Sequence, residues 1–244
     1  MKPTSISSRL AFTALATGTL SLGAHAGLFK ENPAPPSGFL EAPQRMAPDT
    51  QRTPFHKAWR NPSPAAWNRV QGFERVVIMP VSTSYLNASP EQRAQGEKLA
   101  LYMREQFEKE FAKSGKYRVV TKPGPRTLEL DLALVQLKPT NVAGNVASTG
   151  ASAVVPGANF VGGQFTHGNV AFEAKLRNGG TGELLAQYAD SQRDKMSFFS
   201  IRDYSAYGHS RKAIDDWAKQ MEQLATTPRT HKVESAMRLT LNPF

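Results

Sequence analysis

The chain contains no cysteine, and this constrains its fold more than any other feature. Without thiols there can be no disulfide framework, no thiolate metal site, no cysteine nucleophile and no lipidated cysteine. A chain of 244 residues is long enough to bury a core of its own. We therefore expect one domain that is stabilised by hydrophobic packing.

The N-terminus has the parts of an export signal. A basic start precedes a short apolar stretch, and Ala24 and Ala26 are the small residues that signal peptidase requires. The stretch is shorter than the roughly 20 apolar residues that span a bilayer, although an uncleaved anchor is the alternative. We expect a signal peptide over 1–26, cleavage near Ala26/Gly27, a periplasmic or outer-membrane-associated location, and no later transmembrane helix.

The chain is basic. Its net charge of +10 falls by two to +8 when Lys2 and Arg9 leave with the signal, because residues 1–26 hold no acidic group. A basic surface favours anionic partners. Lys and Arg are scattered among acidic residues, without the concentrated stripe of a nucleic-acid-binding module. We expect no nucleic-acid partner. The simplest interpretation is an envelope protein whose basic surface binds no anionic partner. The alternative is that it binds an envelope protein or an anionic envelope polymer.

Residues 27–70 form a proline-rich lead segment. Its eight prolines exclude a continuous helix or a central strand, because proline lacks a backbone donor and restricts the residue before it. The segment also holds too many large apolar residues for a solvated linker. We expect it to be extended and to lie over the core with Trp59 and Trp67 as packing anchors; carbohydrate stacking by either tryptophan is the alternative.

Residues 71–226 have the pattern of a single α+β domain. The unbroken apolar run 76–79 predicts a strand buried on both faces. Ser89, Pro90 and Gln92 predict a capped helix start, and the helix that follows should end at Gly115.

Alternating and helical patterns complete the domain. Strands are predicted at 117–121, 128–135, 169–177 and 183–190. A glycine-rich turn joins the last two as a hairpin, and a second amphipathic helix follows at 208–226, before a basic tail over 227–244. We expect a two-layer α+β sandwich: a mainly antiparallel sheet of about five strands, with two amphipathic helices on one face.

The insertion at 142–168 contains no Lys, Arg, Asp or Glu. Long loops in compact domains tend to be functional or flexible. A flexible linker is one interpretation. The alternative is a segment that docks on a partner or makes peripheral contact with a membrane.

No residue pattern predicts a catalytic, cofactor or metal site. The histidines lack metal-ligand spacing, and the sequence around His209 lacks the trailing glycine and the preceding buried strand of a nucleophile elbow. We therefore name only candidate ligand or partner contacts, mainly large aromatic residues: Trp59, Trp67, Phe198, Phe199, Tyr204, Tyr207 and His209.

Several segments, taken in order, resemble one family. They are Ser-Gly-Phe-Leu at 37–40, Phe-Glu-Arg-Val-Val-Ile-Met-Pro at 73–80, the leucine-rich strand at 128–137, Val-Ala-Phe-Glu-Ala-Lys-Leu-Arg at 170–177, and Thr-Gly-Glu-Leu-Leu-Ala at 181–186. This arrangement resembles the bacterial envelope family catalogued as domain of unknown function 3313. The resemblance covers about 37–225 and implies an exported, often lipidated protein without an assigned activity or catalytic residues. The missing lipidation cysteine departs from that pattern and excludes a covalent anchor.

From the residues and this resemblance we expect a non-enzymatic accessory or binding protein of the periplasm or the inner face of the outer membrane. A periplasmic hydrolase or carbohydrate-active enzyme that uses the aromatic loops is one alternative. A purely structural envelope protein is another.

Overall fold

A computed structural model of the protein describes residues 37–49, 52–86, 88–139, 168–193, 207–228 and 230–234. The predicted signal peptide, the insertion at 142–168 except for Gly168, and Phe198, Phe199 and Tyr204 lie outside these ranges. The strands are β1 (Lys57–Arg60), β2 (Arg75–Ile78), β3 (Arg118–Val120), β4 (Thr127–Lys138), β5 (Asn169–Asn178) and β6 (Leu184–Arg193). The α-helices are α1 (Pro64–Val70), α2 (Pro90–Lys113) and α3 (Gly208–Thr226), and a 3-10 turn spans Pro43–Arg45.

The six described strands form one mixed sheet in the order β1-β6-β5-β4-β2-β3. β1, β6, β5 and β4 pair antiparallel, whereas β2 pairs parallel with both β4 and β3. The fold class is α+β as predicted. The prediction of about five mainly antiparallel strands holds only in part, because the sheet has six described strands and is mixed. The parallel β2–β3 pair arises because α2 crosses from β2 to β3, and a helical crossover joins parallel strands.

The helix count also differs from the prediction, because α1 and the extra strand β1 both fall in the proline-rich lead segment. Pro64 is the first residue of α1, where its missing N–H is not needed. The four-residue β1 is the edge strand of the described sheet: it pairs with β6 on one side, and its other side carries the isolated bridge from Ala58 to Ala47. Prolines excluded long central elements there, but they left room for short ones.

The start and end of α2 agree with the sequence. Ser89 Oγ accepts a hydrogen bond from Gln92 N at 3.3 Å, and Gln92 Oε1 accepts one from Ser89 N at 3.0 Å, which completes the capping box. Gly115 follows the helix with a φ of +69°, the left-handed conformation that glycine adopts without strain. Within the described ranges, no helix is both long and apolar enough to cross a membrane.

The helices cover one face of the sheet and enclose the main core. Alternate residues of β4 point into it, as the leucine pattern predicts, and Phe172 and Tyr188 enter from β5 and β6. Trp217 of α3 is fully buried, with its ring centroid 4.4 Å from that of Phe172.

The opposite face of the sheet is covered in part by residues 37–47. Phe39 and Leu40 pack on Ala133 and Ala171 in a second, smaller apolar cluster. An isolated antiparallel bridge between Ala47 and Ala58 connects this stretch to β1. The chain therefore passes from one face of the sheet to its edge before it enters the helical layer.

Candidate functional site

An open cleft of about 410 Å³ lies on the helix-covered side of the sheet. Its walls come from β1, α1 and the turn after it, the turn after α2, and the C-terminal end of α3, and its floor from the sheet. The volume falls in the range of small-ligand sites, roughly 300–1,000 Å³. We call it the Trp67 cleft and define it by Arg60, Trp67, Tyr117, Leu128, Tyr188 and Leu224.

The last residue of β1, Arg60, is held against Trp67 of α1. The guanidinium carbon lies 5.1 Å from the centroid of the indole, within the range of a cation–π contact. Trp67 is fixed in turn, because its Nε1 donates a hydrogen bond to the carbonyl of Asn61 at 2.8 Å. Among the described residues, Arg60 makes no hydrogen bond through its side chain and no ion pair.

Tyr188 of β6 lies beside Arg60 on the same face of the sheet. Ala58 pairs with Tyr188 and Arg60 pairs with Ala186, so Arg60 and Tyr188 are diagonal neighbours across the β1–β6 ladder. Tyr188 is 5% exposed, and its ring packs edge-on against Phe55 at 5.5 Å. Its hydroxyl has no hydrogen-bond partner in the part of the chain that the structure describes.

Other cations of the cleft bind the C-terminal end of α3. Lys116 Nζ and the Tyr117 hydroxyl both donate to the carbonyl of Ala225, at 2.9 and 3.0 Å. The buried Arg52 donates to four carbonyls around the same helix end, those of Leu224, Thr227, Pro228 and His231. Such contacts satisfy carbonyls that lack a partner within the helix and oppose its negative end. These side chains therefore fix the shape of the cleft wall.

Burial governs titration in the cleft. It lowers the pKa of the Lys116 amine, with the nearby Glu222 carboxyl opposing the change. It raises the pKa of Tyr117 to about 12, with Glu222 adding to the effect. Burial also raises the pKa of Tyr188, against which the charges of Arg60 and Arg52 act. Both phenols are therefore neutral at pH 7; Tyr117 already donates to the carbonyl of Ala225, and the Tyr188 hydroxyl can donate to a ligand.

The candidate contacts predicted from sequence do not converge on one place. Trp67 lines the cleft, but Trp59 is half-buried on the other face of β1, in register with Gln187. Tyr207 and His209 lie at the N-terminal end of α3, whereas the cleft meets its C-terminal end, about 28 Å along a helix of this length. His209 Nε2 lies 3.0 Å from the carbonyl of Gln192. The other three candidates lie outside the described residues.

Sequence reasoning missed Arg60 and Tyr188. Tyr188 falls in a predicted strand, and its alternation with Gln187 and Ala189 indicates a face. Its neighbour Arg60 lies in a lead segment for which no strand was predicted. The pairing of β1 with β6 brings these two residues together, and no local sequence pattern predicted that pairing.

A second polar group joins the lead segment to α3. Asp190 Oδ2 accepts a hydrogen bond from Trp217 Nε1 at 2.7 Å, and Asp190 Oδ1 lies 2.5 Å from His56 Nδ1. A carboxylate can orient an imidazole in this way. The adjacent cavity measures only about 70 Å³, so we interpret this group as a structural connection rather than a ligand site.

The solved structures that resemble this chain share little sequence identity with it. The PelC dodecamer from Paraburkholderia phytofirmans is 11% identical over 68% of this chain and 96% of that one, with a TM-score of 0.34. Protein XCC0632 from Xanthomonas campestris is 12% identical over 61% and 81%, with a TM-score of 0.38. A minor lipoprotein from Acinetobacter baumannii is 9% identical over 63% and 92%, with a TM-score of 0.31.

The sequence itself gives the clearer relationship. No curated protein matches the chain. The sequence model of one family matches residues 35–221, which include all of the described strands and most of α3. The chain therefore belongs to the family described as "Protein of unknown function (DUF3313)".

Proposed function

We propose that the protein is an exported, non-enzymatic binding protein of the cell envelope, which acts in the periplasm or at the inner face of the outer membrane and binds a small ligand in the Trp67 cleft. The observation that carries the proposal is the cleft itself. It combines a volume of about 410 Å³ with an apolar floor and a few polar groups, the usual composition of a ligand site.

The polar groups of the cleft suit binding better than catalysis. Arg60 and the Tyr188 hydroxyl are available to a ligand, whereas Arg52 and Lys116 are engaged with backbone carbonyls. The described residues that line the cleft include no carboxylate and no imidazole. General acid–base chemistry near neutral pH usually depends on such groups.

The envelope location is proposed from the sequence. The predicted signal over 1–26 supports export, and the absence of cysteine requires that any attachment to a membrane be non-covalent. The basic mature chain would favour an anionic envelope polymer or an acidic protein surface as a partner.

A tryptophan at the rim of the cleft tests the proposal. Gln71 is exposed, directly follows α1 and lines the cleft, so Gln71→Trp should obstruct the cleft without disturbing the core. Arg93→Trp is the matched control, because Arg93 is exposed near the N-terminal end of α2, whereas the cleft meets the other end of that helix at Phe111. Each protein would be purified from fractionated native cells and examined by native mass spectrometry.

We expect all three proteins in the envelope fraction, each with the mass of a chain that begins near Gly27. A small-molecule adduct should accompany the unsubstituted protein and the Arg93→Trp control and be lost from Gln71→Trp. Recovery in the cytoplasm with residues 1–26 intact would exclude the proposed location. An adduct of equal abundance in all three proteins would exclude the cleft as the binding site.

A further inference from the structure

We propose that the Trp67 cleft binds an amphiphilic anion, whose phosphate or carboxylate group is held by the Arg60 guanidinium and the Tyr188 hydroxyl and whose apolar portion lies on the floor of the cleft. This inference rests on the proposed function and specifies the chemical class of the ligand.

The first support is the unused hydrogen-bonding capacity of Arg60. Its side chain is half-buried and is held against the Trp67 ring at 5.1 Å. A guanidinium presents five N–H donors in one plane and accepts none. In the described residues no carboxylate pairs with it, and its exposed part faces the open cleft, where its N–H donors can reach a ligand. The arrangement of Arg60 is therefore suited to an anion from outside the chain.

The second support is the Tyr188 hydroxyl. It belongs to a side chain that is 95% buried, it lies on the same sheet face as Arg60, and within the described ranges it has no partner. Among the described residues, Gln187 Nε2 is the buried side-chain polar atom that lacks a partner, so the Tyr188 oxygen is open to the cleft, where a bound acceptor can replace water. A phenol and a guanidinium together form a set of donors, and a phosphate or a carboxylate offers only acceptors.

The third support is the floor beside these donors. Leu128 and Leu176 of the sheet form this floor, and Met221 of α3 and the ring of Phe73 extend its apolar lining. An inorganic anion would leave that surface in contact with water. A ligand with an apolar portion next to its charged group would cover it, at about 0.8 kcal/mol per buried methylene.

Such chemistry has two sources in a cell envelope. A lipid phosphate or fatty acid would bring a long chain, whereas a soluble phosphate monoester would bring a short one. Both share the same charged group and the same adjacent apolar portion. Chain length therefore separates the sources.

The test is isothermal titration calorimetry of the purified mature protein with octyl phosphate below its micelle concentration. Inorganic phosphate provides the charge alone, octyl glucoside the chain alone, and propyl phosphate a short chain. We expect octyl phosphate to bind one-to-one and more tightly than inorganic phosphate or octyl glucoside. Octyl phosphate binding more tightly than propyl phosphate indicates the lipid source, and equal affinity indicates the soluble source.

Two substitutions assign the contacts. Arg60→Gln should weaken octyl phosphate binding about tenfold or more, and Tyr188→Phe, which keeps the buried ring, should weaken it about fivefold. Arg93→Gln removes an exposed charge at the far end of α2 and should leave the affinity unchanged. The thermal midpoint of each variant reports whether it is folded.

The inference is overturned if octyl glucoside binds as tightly as octyl phosphate, if none of the probes binds, or if folded Arg60→Gln and Tyr188→Phe both bind octyl phosphate like the unsubstituted protein. The proposed function would survive any of these results if Gln71→Trp still loses its native adduct. Absence of both the native adduct and probe binding would overturn the two proposals together.

Discussion

The two faces of the sheet are built in different ways. The helix-covered face is mainly apolar: β4 contributes leucines, β5 contributes Phe172, and α2 and α3 enclose them with fully buried side chains such as Phe107 and Trp217. The face covered by residues 37–47 has only a small apolar cluster. Its strands also carry charged side chains: Glu129, Asp131, Glu173, Lys175 and Arg177.

Directional contacts attach residues 37–47 to this second face. Ser37 Oγ donates to Glu173 Oε2 at 2.5 Å, and the buried Gln187 Oε1 accepts from the backbone N–H groups of Glu41 and Ala42 at 2.7 and 3.3 Å. Lys175 Nζ lies 4.1 Å from the centroid of the Phe39 ring. When the segment is detached, water hydrates or hydrogen-bonds the same groups. The net contribution of each contact to the free energy of unfolding is therefore modest.

One face therefore depends mainly on buried area, whereas the other depends mainly on directional contacts with residues 37–47. This attachment does not satisfy every polar atom beneath it: Gln187 Nε2 is buried without a hydrogen-bond partner among the described residues. Segments held by few apolar contacts open at lower free energy than the core. The difference predicts that damage to the helix-covered face unfolds the domain, whereas damage to the other face releases residues 37–47 first.

The largest effect is expected from Trp217→Ala. It removes the largest fully buried side chain and leaves Asp190 Oδ2 without its 2.7 Å donor, so the free energy of unfolding should fall by about 3–5 kcal/mol. Phe39→Ala on the opposite face should cost only about 1–2 kcal/mol, because its segment can detach without global unfolding. Urea unfolding of both variants provides the measurement. Equal losses would show that the two faces form one cooperative unit.

The helix-covered face was largely predictable from the sequence because its signals are local. Alternation over four leucines placed β4, and the cap at Ser89 placed the start of α2. The parallel pairing of β2 was not predictable in this way, since direction depends on where the chain goes after α2. The strand β1 was missed for a related reason, because four residues among prolines carry too little pattern.

The candidate site was less predictable than the fold. Trp67 was identified as an apolar residue too large for a linker, but the same criterion selected Trp59, which lies on the opposite face of β1. Arg60 and Tyr188 meet only through the long-range pairing of β1 with β6. Sequence patterns indicate the face on which a side chain lies, but not which distant residue shares it.

A smaller effect is expected from Gly38→Ala in the covering segment. Gly38 has a φ of +91°, and an added Cβ would meet only Tyr85 Cε1 at 4.0 Å, so the cost is one of backbone conformation, about 1–2 kcal/mol. The loss should appear as faster amide exchange and proteolysis within residues 37–47. Gly124→Ala is the control, since Gly124 has an ordinary φ and open space, and it should leave both rates unchanged. Unaltered rates in Gly38→Ala would show that the segment is not the weak layer.

The smallest effect concerns pH. Burial raises the pKa of Glu173, which the Ser37 hydrogen bonds and Lys175 partly oppose, and burial also raises the pKa values of Asp131 and Glu129 on the same face. A carboxyl whose pKa is raised on folding binds its proton more tightly in the native state. Its contribution to stability is therefore complete below its ordinary pKa, 4.5 for Glu173, and is lost as pH rises through the folded value.

The free energy of unfolding should accordingly fall as pH rises above about 4.5, and Glu173→Gln should make that fall shallower by on the order of 0.5 kcal/mol per pH unit. Glu97→Gln, on the exposed surface of α2, is the matched control and should keep the original slope. Urea unfolding between pH 4 and pH 7 measures all three proteins. If Glu173→Gln and Glu97→Gln gave the same slope, the attachment of residues 37–47 would not depend on the protonation of Glu173, and the polar face would behave like the apolar one.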